Sequence, residues 1–380
     1  MVSNQRYDEL DSLRGIAALI VFIYHMTIVF QWGTTMNRLS HSPFYTLFDG
    51  HASVMFFYVL SGFVLSLPFY YGKNASYGTF MAKRIIRIYI PFIVAIFIAI
   101  IMSLLFHKDG INFGSFYNLV WKDGLNLKIL VNHFFLIGDY KTYSYDPAVW
   151  SLVHEMRISF IFPILMLVAT KYDWKKIIIG CMLSSLSGYM MYAKFLNQAN
   201  YFNRSSLYES LHYISIFMIG ILLAKYHKEL IELFKGLGLK FKLAILMGSL
   251  MAYGYRGWVP FYNSRLHVWF VEDWAIAIGA CGLIIIVLGS KRISKILLLK
   301  PIHFLGKMSF SFYLYHFICI LTLFNLLYGK IQLPYIYLSI IVASFIVSAI
   351  AYYAIEVPTI KLIKFIKSRN IIVNSKTESI

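Results

Sequence analysis

Long uninterrupted blocks of apolar residues limit most strongly what this chain can fold into. Of its 380 residues, 59% are hydrophobic and only 14% are charged, whereas a soluble domain is nearer half apolar and a quarter charged. A spanning helix needs roughly 20 mostly apolar residues, and a backbone in lipid has to satisfy its own hydrogen bonds. We therefore predict an all-α, polytopic membrane bundle of about ten transmembrane helices. Their approximate bounds are 15–32, 52–71, 88–106, 149–170, 177–195, 210–225, 243–255, 274–289, 310–328 and 335–355.

The formal net charge of +18 is distributed as in a membrane protein. If the N-terminus is cytoplasmic, most of the 35 Lys and Arg residues fall in inner segments. This asymmetry predicts that both termini are cytoplasmic, which requires an even number of spans. The expected partner of the charge is the anionic inner face of the lipid bilayer, and we expect no nucleic-acid partner.

We expect a single transmembrane domain over residues 1–360 and a basic, then polar, cytoplasmic tail over 361–380. The longest extramembrane segment, 107–148, is predicted as an outer loop. It contains an apolar patch, Ile129 to Ile137, which is too short to span and is expected to be re-entrant or interfacial. The three cysteines fall inside predicted helices. No disulfide framework or metal-ligand spacing is visible, so we predict no metal.

Ionisable residues inside membrane helices are costly and are therefore candidates for function. Arg14 and His25 lie eleven residues apart in the first predicted helix, which places them on one face and ~16 Å apart along the axis. With Arg14 at the cytoplasmic edge, His25 is predicted near the middle of the bilayer, where a neutral imidazole could take a proton from a hydroxyl. The alternatives are a topology anchor for Arg14 and an interhelical hydrogen bond for His25.

Three cations precede the third predicted helix: Lys83, Arg84 and Arg87. Arg84 and Arg87 are neighbours on a helical surface. Guanidinium groups at the cytoplasmic face could hold phosphate groups. The alternative is again a topology signal.

His154 and Glu155 follow Trp150 at the predicted outer start of the fourth helix. Tryptophan suits a membrane interface, so the carboxylate is expected one to two turns into the bilayer. There it must find a partner or be neutral, and Arg157 or His25 could serve. A structural interhelical bond is the alternative.

Ser309, Tyr313 and His316 recur at helical spacing at the start of the ninth predicted helix, so one polar stripe is expected. Polar packing between helices is the alternative. The run from Glu356 to Pro358 is interpreted as the stop of the tenth helix, with Glu356 able to pair with a basic residue. The histidines outside these motifs lie in loops or at helix ends, and most are expected to be ordinary surface residues.

Together these segments resemble acyltransferase family 3, the integral membrane acyltransferases that modify cell-surface glycans. The matching elements are Leu10-Asp11-Ser12-Leu13-Arg14-Gly15 with His25, Phe56-Phe57-Tyr58-Val59-Leu60-Ser61-Gly62-Phe63, Arg84 with Arg87 and Pro91, Trp150-Ser151-Leu152 with Glu155, Gly306-Lys307-Met308-Ser309 with Tyr313, Leu314 and His316, and Glu356 with Pro358. Six elements in the family's order extend over nearly the whole chain. Where family members often read Gly-Val-Asp, this chain reads Ser53-Val54-Met55.

The resemblance implies transfer of an acyl group, most often acetyl, from cytoplasmic acyl-CoA to a hydroxyl of an extracytoplasmic glycan, in the bacterial cytoplasmic membrane. It implies that His25 is the general base or a transient acyl carrier, and that Arg14 holds or polarises the donor. Glu155 would orient the imidazole or the sugar. The remaining candidates fall into two groups. Arg84, Arg87 and Lys83 would bind the phosphates of CoA, whereas His154, Ser309, Tyr313 and His316 would line the substrate path.

Three other functions also fit the sequence. A transporter or flippase for a glycan precursor would need polar residues inside a bundle but would consume no thioester. A membrane sensor or scaffold would not need His25 and Arg14. An acyltransferase acting on a small-molecule hydroxyl would differ only in its acceptor.

Overall fold

The computed structural model describes residues 7–30, 32, 39, 42–72, 76–108, 111, 113, 116–195, 205–258 and 267–366, and over these ranges the chain folds into helices without strands. The α-helices are α1 (Asp8–Val29), α2 (Gly50–Tyr70), α3 (Tyr77–Phe106), α4 (Leu127–Phe135), α5 (Trp150–Lys171), α6 (Trp174–Phe195), α7 (Leu207–Gly236), α8 (Leu239–Tyr253), α9 (Tyr255–Trp258), α10 (Trp269–Gly289), α11 (Lys291–Leu297), α12 (Lys300–Lys307), α13 (Ser309–Leu327) and α14 (Leu333–Ala351). Short 3-10 segments are Pro43–Phe48, Tyr117–Leu119, Thr142–Ser144 and Pro147–Val149. The predicted all-α membrane fold is confirmed.

Each of the ten predicted segments coincides with a helix, and eight helices in the described part of the chain are long and apolar enough to cross a membrane. The two helices that do not qualify are α6, which begins with a basic turn, and α8, which has 15 residues. Eight and ten are both even numbers, so either count leaves the two termini on the same side.

The chain forms two compact units. The first comprises residues 1–74, 112–117 and 161–309, and the second comprises 75–111, 118–160 and 310–380. The boundary passes through α5 and falls at the start of α13. The expected single domain over 1–360 stays a prediction.

Glycines allow the helices of the first unit to meet backbone to backbone. A Cβ atom at Gly62 of α2 would overlap the carbonyl oxygen of Phe217 in α7, and one at Gly220 of α7 would overlap the backbone of α2. A Cβ atom at Gly15 of α1 would likewise overlap the backbone of Gly306 in α12. Small residues at helix crossings permit this approach in membrane proteins, so these glycines fix which helices touch.

The second unit is built around α3. Phe92 and Ile96 of α3 share a core cluster with Ile129, Leu136 and Tyr145 from the segment that precedes α5. The apolar patch predicted over 129–137 is therefore the short helix α4 with its C-terminal cap. The prediction of an outer segment over 107–148 is not tested, but residues 129–149 contribute aromatic and aliphatic side chains that are buried against α3.

The last helix does not stop at Pro358. A π-helical turn, Tyr352–Glu356, follows α14, and the helix then continues to residue 366. A π turn changes the hydrogen-bond register, so the amide that Pro358 lacks is accommodated without ending the helix. The predicted helix stop was therefore wrong. Of the predicted tail, 361–366 is helical, and 367–380 lies outside the described residues.

We expect Gly220→Ala to destabilise the protein. The added methyl group has no room between α2 and α7, and overpacking costs on the order of 1–3 kcal/mol. Thermal unfolding of the detergent-solubilised protein should show a lower Tm. The matched control is Gly248→Ala in α8, where an added Cβ meets no atom within 4 Å and alanine favours the helix. Equal Tm values for the two variants would contradict the proposed crossing.

Candidate functional site

Arg14 lies in the second turn of α1 and is held by Asp11, one turn earlier. Its Nη1 donates to Asp11 Oδ1 at 2.9 Å, and both side chains are partly exposed. The intervening Ser12 Oγ donates to the Leu297 carbonyl oxygen of α11 at 2.7 Å. Gly15 packs on α12. The first motif therefore anchors α1 while leaving the guanidinium of Arg14 partly accessible.

His25 is buried on α1 with its ring tilted against Tyr24 at a centroid distance of 5.6 Å. The helix begins at Asp8, earlier than predicted, because acidic residues in its first turn suit the positive end of the helix dipole. It ends at Val29. His25 therefore lies one turn before the end of α1, and its position near the middle of the bilayer stays a prediction.

Arg84 is the buried centre of a polar cluster in the second unit. Its Nη2 donates to Glu155 Oε1 at 2.6 Å, and its Nε donates to Ser159 Oγ at 3.1 Å. Ser159 Oγ donates in turn to the Glu155 carbonyl oxygen at 2.7 Å. In contrast, Arg87 is exposed and Lys83 is half-buried. One predicted phosphate ligand is thus held by a carboxylate, and the other two lie nearer the surface.

The ion pair with Arg84 corrects the predicted environment of Glu155. The sequence placed Arg84 at the inner face and Glu155 in the outer half, with Arg157 or His25 as partners for the carboxylate. Because the segment before α5 packs along α3, the start of α5 instead lies beside Arg84. Arg157 donates to the carbonyl oxygens of Ile137 and Gly138 at 2.9 and 2.7 Å.

Tyr313 of α13 connects to the start of α5. Its hydroxyl donates to the Ala148 carbonyl oxygen at 2.8 Å and lies 2.7 Å from Ser151 Oγ. The ring of His316 lies 6.1 Å from that of Tyr313, and His316 Nδ1 donates to the Phe312 carbonyl oxygen at 3.0 Å.

The remaining predicted path residues are also buried. His154 is wholly enclosed, with its ring edge-on to Trp150 at 6.0 Å, and Ser309 is buried at the start of α13. The motif residue Glu356 accepts a hydrogen bond from Ser311 at 2.8 Å.

Asp146, which sequence reasoning missed, lies just before α5 in the second unit. The side chain is fully buried. Its Oδ1 accepts the Ala148 amide hydrogen at 3.0 Å, and Oδ2 has no hydrogen-bond partner. Burial raises the pKa of Asp146 to about 7, although the Ala148 amide opposes the shift. A signal was present, because an Asp-Pro pair before an apolar block marks a helix start.

A second missed group lies in the first unit. His51 Nε2 and His212 Nε2 lie 2.6 and 3.0 Å from the two carboxylate oxygens of Asp273. We expected most histidines outside the motifs to be surface residues, but His133, His212 and His227 are buried and the side chain of His51 is only 10% exposed. An aspartate next to an apolar block indicates a buried carboxylate with a partner. Asp273 directly precedes the predicted apolar block 274–289 and could have been identified in this way.

Another ion-pair cluster lies near these residues in sequence. Arg256 Nη1 is 3.4 Å from Asp49 Oδ1, and its Nε is 3.2 Å from Glu272 Oε2. His267 Nδ1 lies 3.0 Å from Glu272 Oε1. Over the part of the chain that the structure describes, no group of three or more His, Cys, Asp or Glu is arranged to hold a metal ion.

The buried His25 and the partly exposed Arg14 lie on the membrane-spanning helix α1, and a second polar centre lies on α3 and α5. The sequence of this chain also matches a known family. The model of the family Acyl_transf_3, described as an acyltransferase domain, matches residues 7–353. The chain therefore belongs to this acyltransferase family and is a multi-pass membrane protein.

Similar curated proteins are the O-acetyltransferases OatA of Staphylococcus aureus strains NCTC 8325 / PS 47, COL and MRSA252. Each is 23% identical over 378 residues, covering 94% of this chain and 58% of the relative. The chain thus spans less than two thirds of the length of these relatives. No solved structure matches it significantly.

We expect the stability contribution of Asp146 to fall as the pH rises. Its folded-state pKa of about 7 exceeds the usual 3.8, so between these values the folded chain binds a proton that the unfolded chain releases. Above pH 7 the buried carboxylate is ionised and destabilises the fold. Asp146→Asn should therefore be more stable than the wild type at pH 8, by on the order of 4 kcal/mol.

At pH 5 the advantage of Asp146→Asn should be less than half as large, because the folded carboxyl is then still protonated. Thermal unfolding at both pH values measures the difference. Asp123→Asn, in the partly exposed pair of Asp123 with Lys141, is the control and should not show this pattern. An Asp146→Asn advantage that is the same at both pH values would contradict the assignment.

Proposed function

We propose that the protein is a membrane O-acyltransferase that moves an acetyl group from cytoplasmic acetyl-CoA to a hydroxyl of a cell-surface or exported polysaccharide. The observation that carries the proposal is the buried His25 on α1, eleven residues from the partly exposed Arg14, in a chain that belongs to an acyltransferase family. The similarity to O-acetyltransferases OatA supports acetyl as the transferred group.

His25 acts as the general base in this proposal. It takes the proton of the acceptor hydroxyl while the oxygen bonds to the acyl carbon and the carbon–sulfur bond of the thioester breaks. Arg14 polarises the thioester carbonyl or holds the donor. His154, Ser309, Tyr313 and His316 remain candidates for the substrate path.

The phosphates of CoA are assigned to Arg84, Arg87 and Lys83. Arg87 and Lys83 are accessible enough to meet a soluble donor, whereas Arg84 is fixed in one orientation by Glu155 and Ser159. We therefore assign Glu155 to positioning Arg84, in place of the role of orienting His25.

His25→Ala should abolish acetyl transfer while the protein still folds, because general-base assistance contributes roughly 10²–10⁴-fold. The purified protein is supplied with acetyl-CoA and oligosaccharides released from the bacterial envelope, and thiol release and acceptor mass are followed. The control, His107→Gln, changes an exposed histidine at the end of α3 and should retain activity. Near-normal transfer by His25→Ala would refute the role of His25, and glycan transport without thioester consumption would refute the enzyme.

Arg87→Ala should weaken acetyl-CoA binding about tenfold at unchanged Tm, because one charge-assisted hydrogen bond is lost at an exposed position. Arg84→Ala should weaken binding and also lower the Tm, because Glu155 is left without its counter-charge. Adding Glu155→Gln to Arg84→Ala should restore stability but not affinity. Lys175→Ala, an exposed cation at the start of α6, is the control in calorimetry. Unchanged affinity in both arginine variants would leave these residues as topology signals.

A further inference from the structure

A chain of hydrogen bonds joins four helices of the first unit and includes His51 of α2. His51 Nε2 lies 2.6 Å from Asp273 Oδ1 of α10, and Asp273 Oδ2 lies 3.0 Å from His212 Nε2 of α7. His212 Nδ1 lies 2.5 Å from Ser185 Oγ of α6. Ser185 Oγ also receives a hydrogen bond from Trp274 Nε1 at 3.0 Å. Neither the family motifs nor the proposed function uses these residues.

The donors and acceptors of this chain fit in one order. The indole N–H of Trp274 can only donate, so Ser185 accepts it and gives its own proton to Nδ1 of His212. His212 therefore carries its proton on Nε2 and donates it to the carboxylate of Asp273. An ionised carboxylate only accepts, so Nε2 of His51 donates to it as well. In the neutral ring of His51 the basic lone pair is then on Nδ1.

This arrangement prepares His51 to act as a base. A carboxylate that accepts one imidazole N–H holds the ring in a single tautomer and stabilises the imidazolium that forms when the other nitrogen takes a proton. The side chains of Asp273 and His212 are completely buried, whereas that of His51 is 10% exposed. Of Asp273, His212 and His51, only His51 has exposed side-chain surface, so we assign the exchange of a proton to His51.

His51 also lies beside the helix segment that carries His25. A Cβ atom at Gly50, the residue before His51, would overlap the ring of Tyr24, the residue before His25. The first turn of α2 and the last turns of α1 therefore approach as closely as a glycine allows, and the two histidines follow the two contact residues directly in sequence.

We infer that His51 is a second proton-transfer residue of the acyl transfer and is positioned by Asp273, His212 and Ser185. The acceptor oxygen bonds to the acyl carbon, and its proton passes to His25 and from His25 to Nδ1 of His51, which releases it to water. The carbon–sulfur bond breaks, and the departing CoA thiolate takes a proton from water. This inference rests on the proposed function.

The rival explanation is a structural clamp between α2 and α10. A neighbouring ion-pair group can serve as a control, because Glu272 in the first turn of α10 pairs with Arg256 of α9, which also pairs with Asp49 just before α2. If the relay is only a clamp, removing either group should have the same kind of effect on stability and on activity.

The test compares wild type, His51→Gln, His51→Ala, Asp273→Asn and Glu272→Gln as purified full-length protein. Acetyl-CoA and envelope oligosaccharides are the substrates. His51→Gln and Asp273→Asn should each lose about 100-fold in kcat, with KM for acetyl-CoA within about twofold of wild type. Glu272→Gln should lower the Tm while kcat stays near wild type. Added imidazole should restore part of the kcat of His51→Ala, because a diffusible base can replace a lost proton carrier but cannot replace a clamp.

Wild-type kcat in His51→Gln would overturn the inference. Loss of kcat only in proportion to loss of Tm, as in Glu272→Gln, with no rescue by imidazole, would overturn it too. Either result with an active wild type leaves the proposed function intact. A folded wild type that consumes no acetyl-CoA would overturn the proposed function and this inference together.

Discussion

A charged side chain in an apolar helix has to be paired before that helix can pack, and this requirement determines much of the structure. An unpaired buried charge costs several kcal/mol, whereas a paired and hydrogen-bonded one is tolerated. Arg84 of α3 therefore brings Glu155 of α5 against it. Asp273 of α10 similarly draws His51 of α2 and His212 of α7 to its two oxygens. In each unit, the polar contacts select which helices are neighbours, and apolar packing fills the space around them.

Several signature residues of the family have a packing reason beside any chemical one. Ser12 ties α1 to α11 through a carbonyl oxygen, and Gly15 admits the backbone of α12. Gly62 admits the backbone of α7 in the same way. Because these contacts fix α1 and α2, they also fix the residues that the same helices carry, including Arg14 and His25. Loss of activity on changing a signature glycine would therefore report geometry rather than chemistry.

Hydropathy predicted the helices well because lipid leaves an apolar block few alternatives to a helix. The partners of the buried charges were not predictable in the same way. Glu155 was expected to pair with His25 or Arg157, and nothing in the local sequence shows that residues 129–149 pack along α3. Pro358 was interpreted as a helix stop because proline lacks the amide hydrogen. The π turn that lets the helix continue has no clear signal in the sequence. Asp273, in contrast, could have been found by the rule that singled out His25, had the apolar block been drawn a turn earlier.

Two adjacent carboxylates at the start of α10 show how the choice of partner separates chemistry from packing. Glu272 pairs with His267 but also with Arg256, a permanent cation whose charge compensates its own. Asp273 is more deeply buried, yet its partners in the described part of the chain are two histidines, which are neutral unless they take up a proton. An arginine would neutralise Asp273 better than a histidine does. If the position only had to be filled, apolar residues would serve better, because buried ion pairs add little stability. An imidazole is the choice that fits when the partner has to gain and lose a proton, so the composition of this group favours a part in proton transfer.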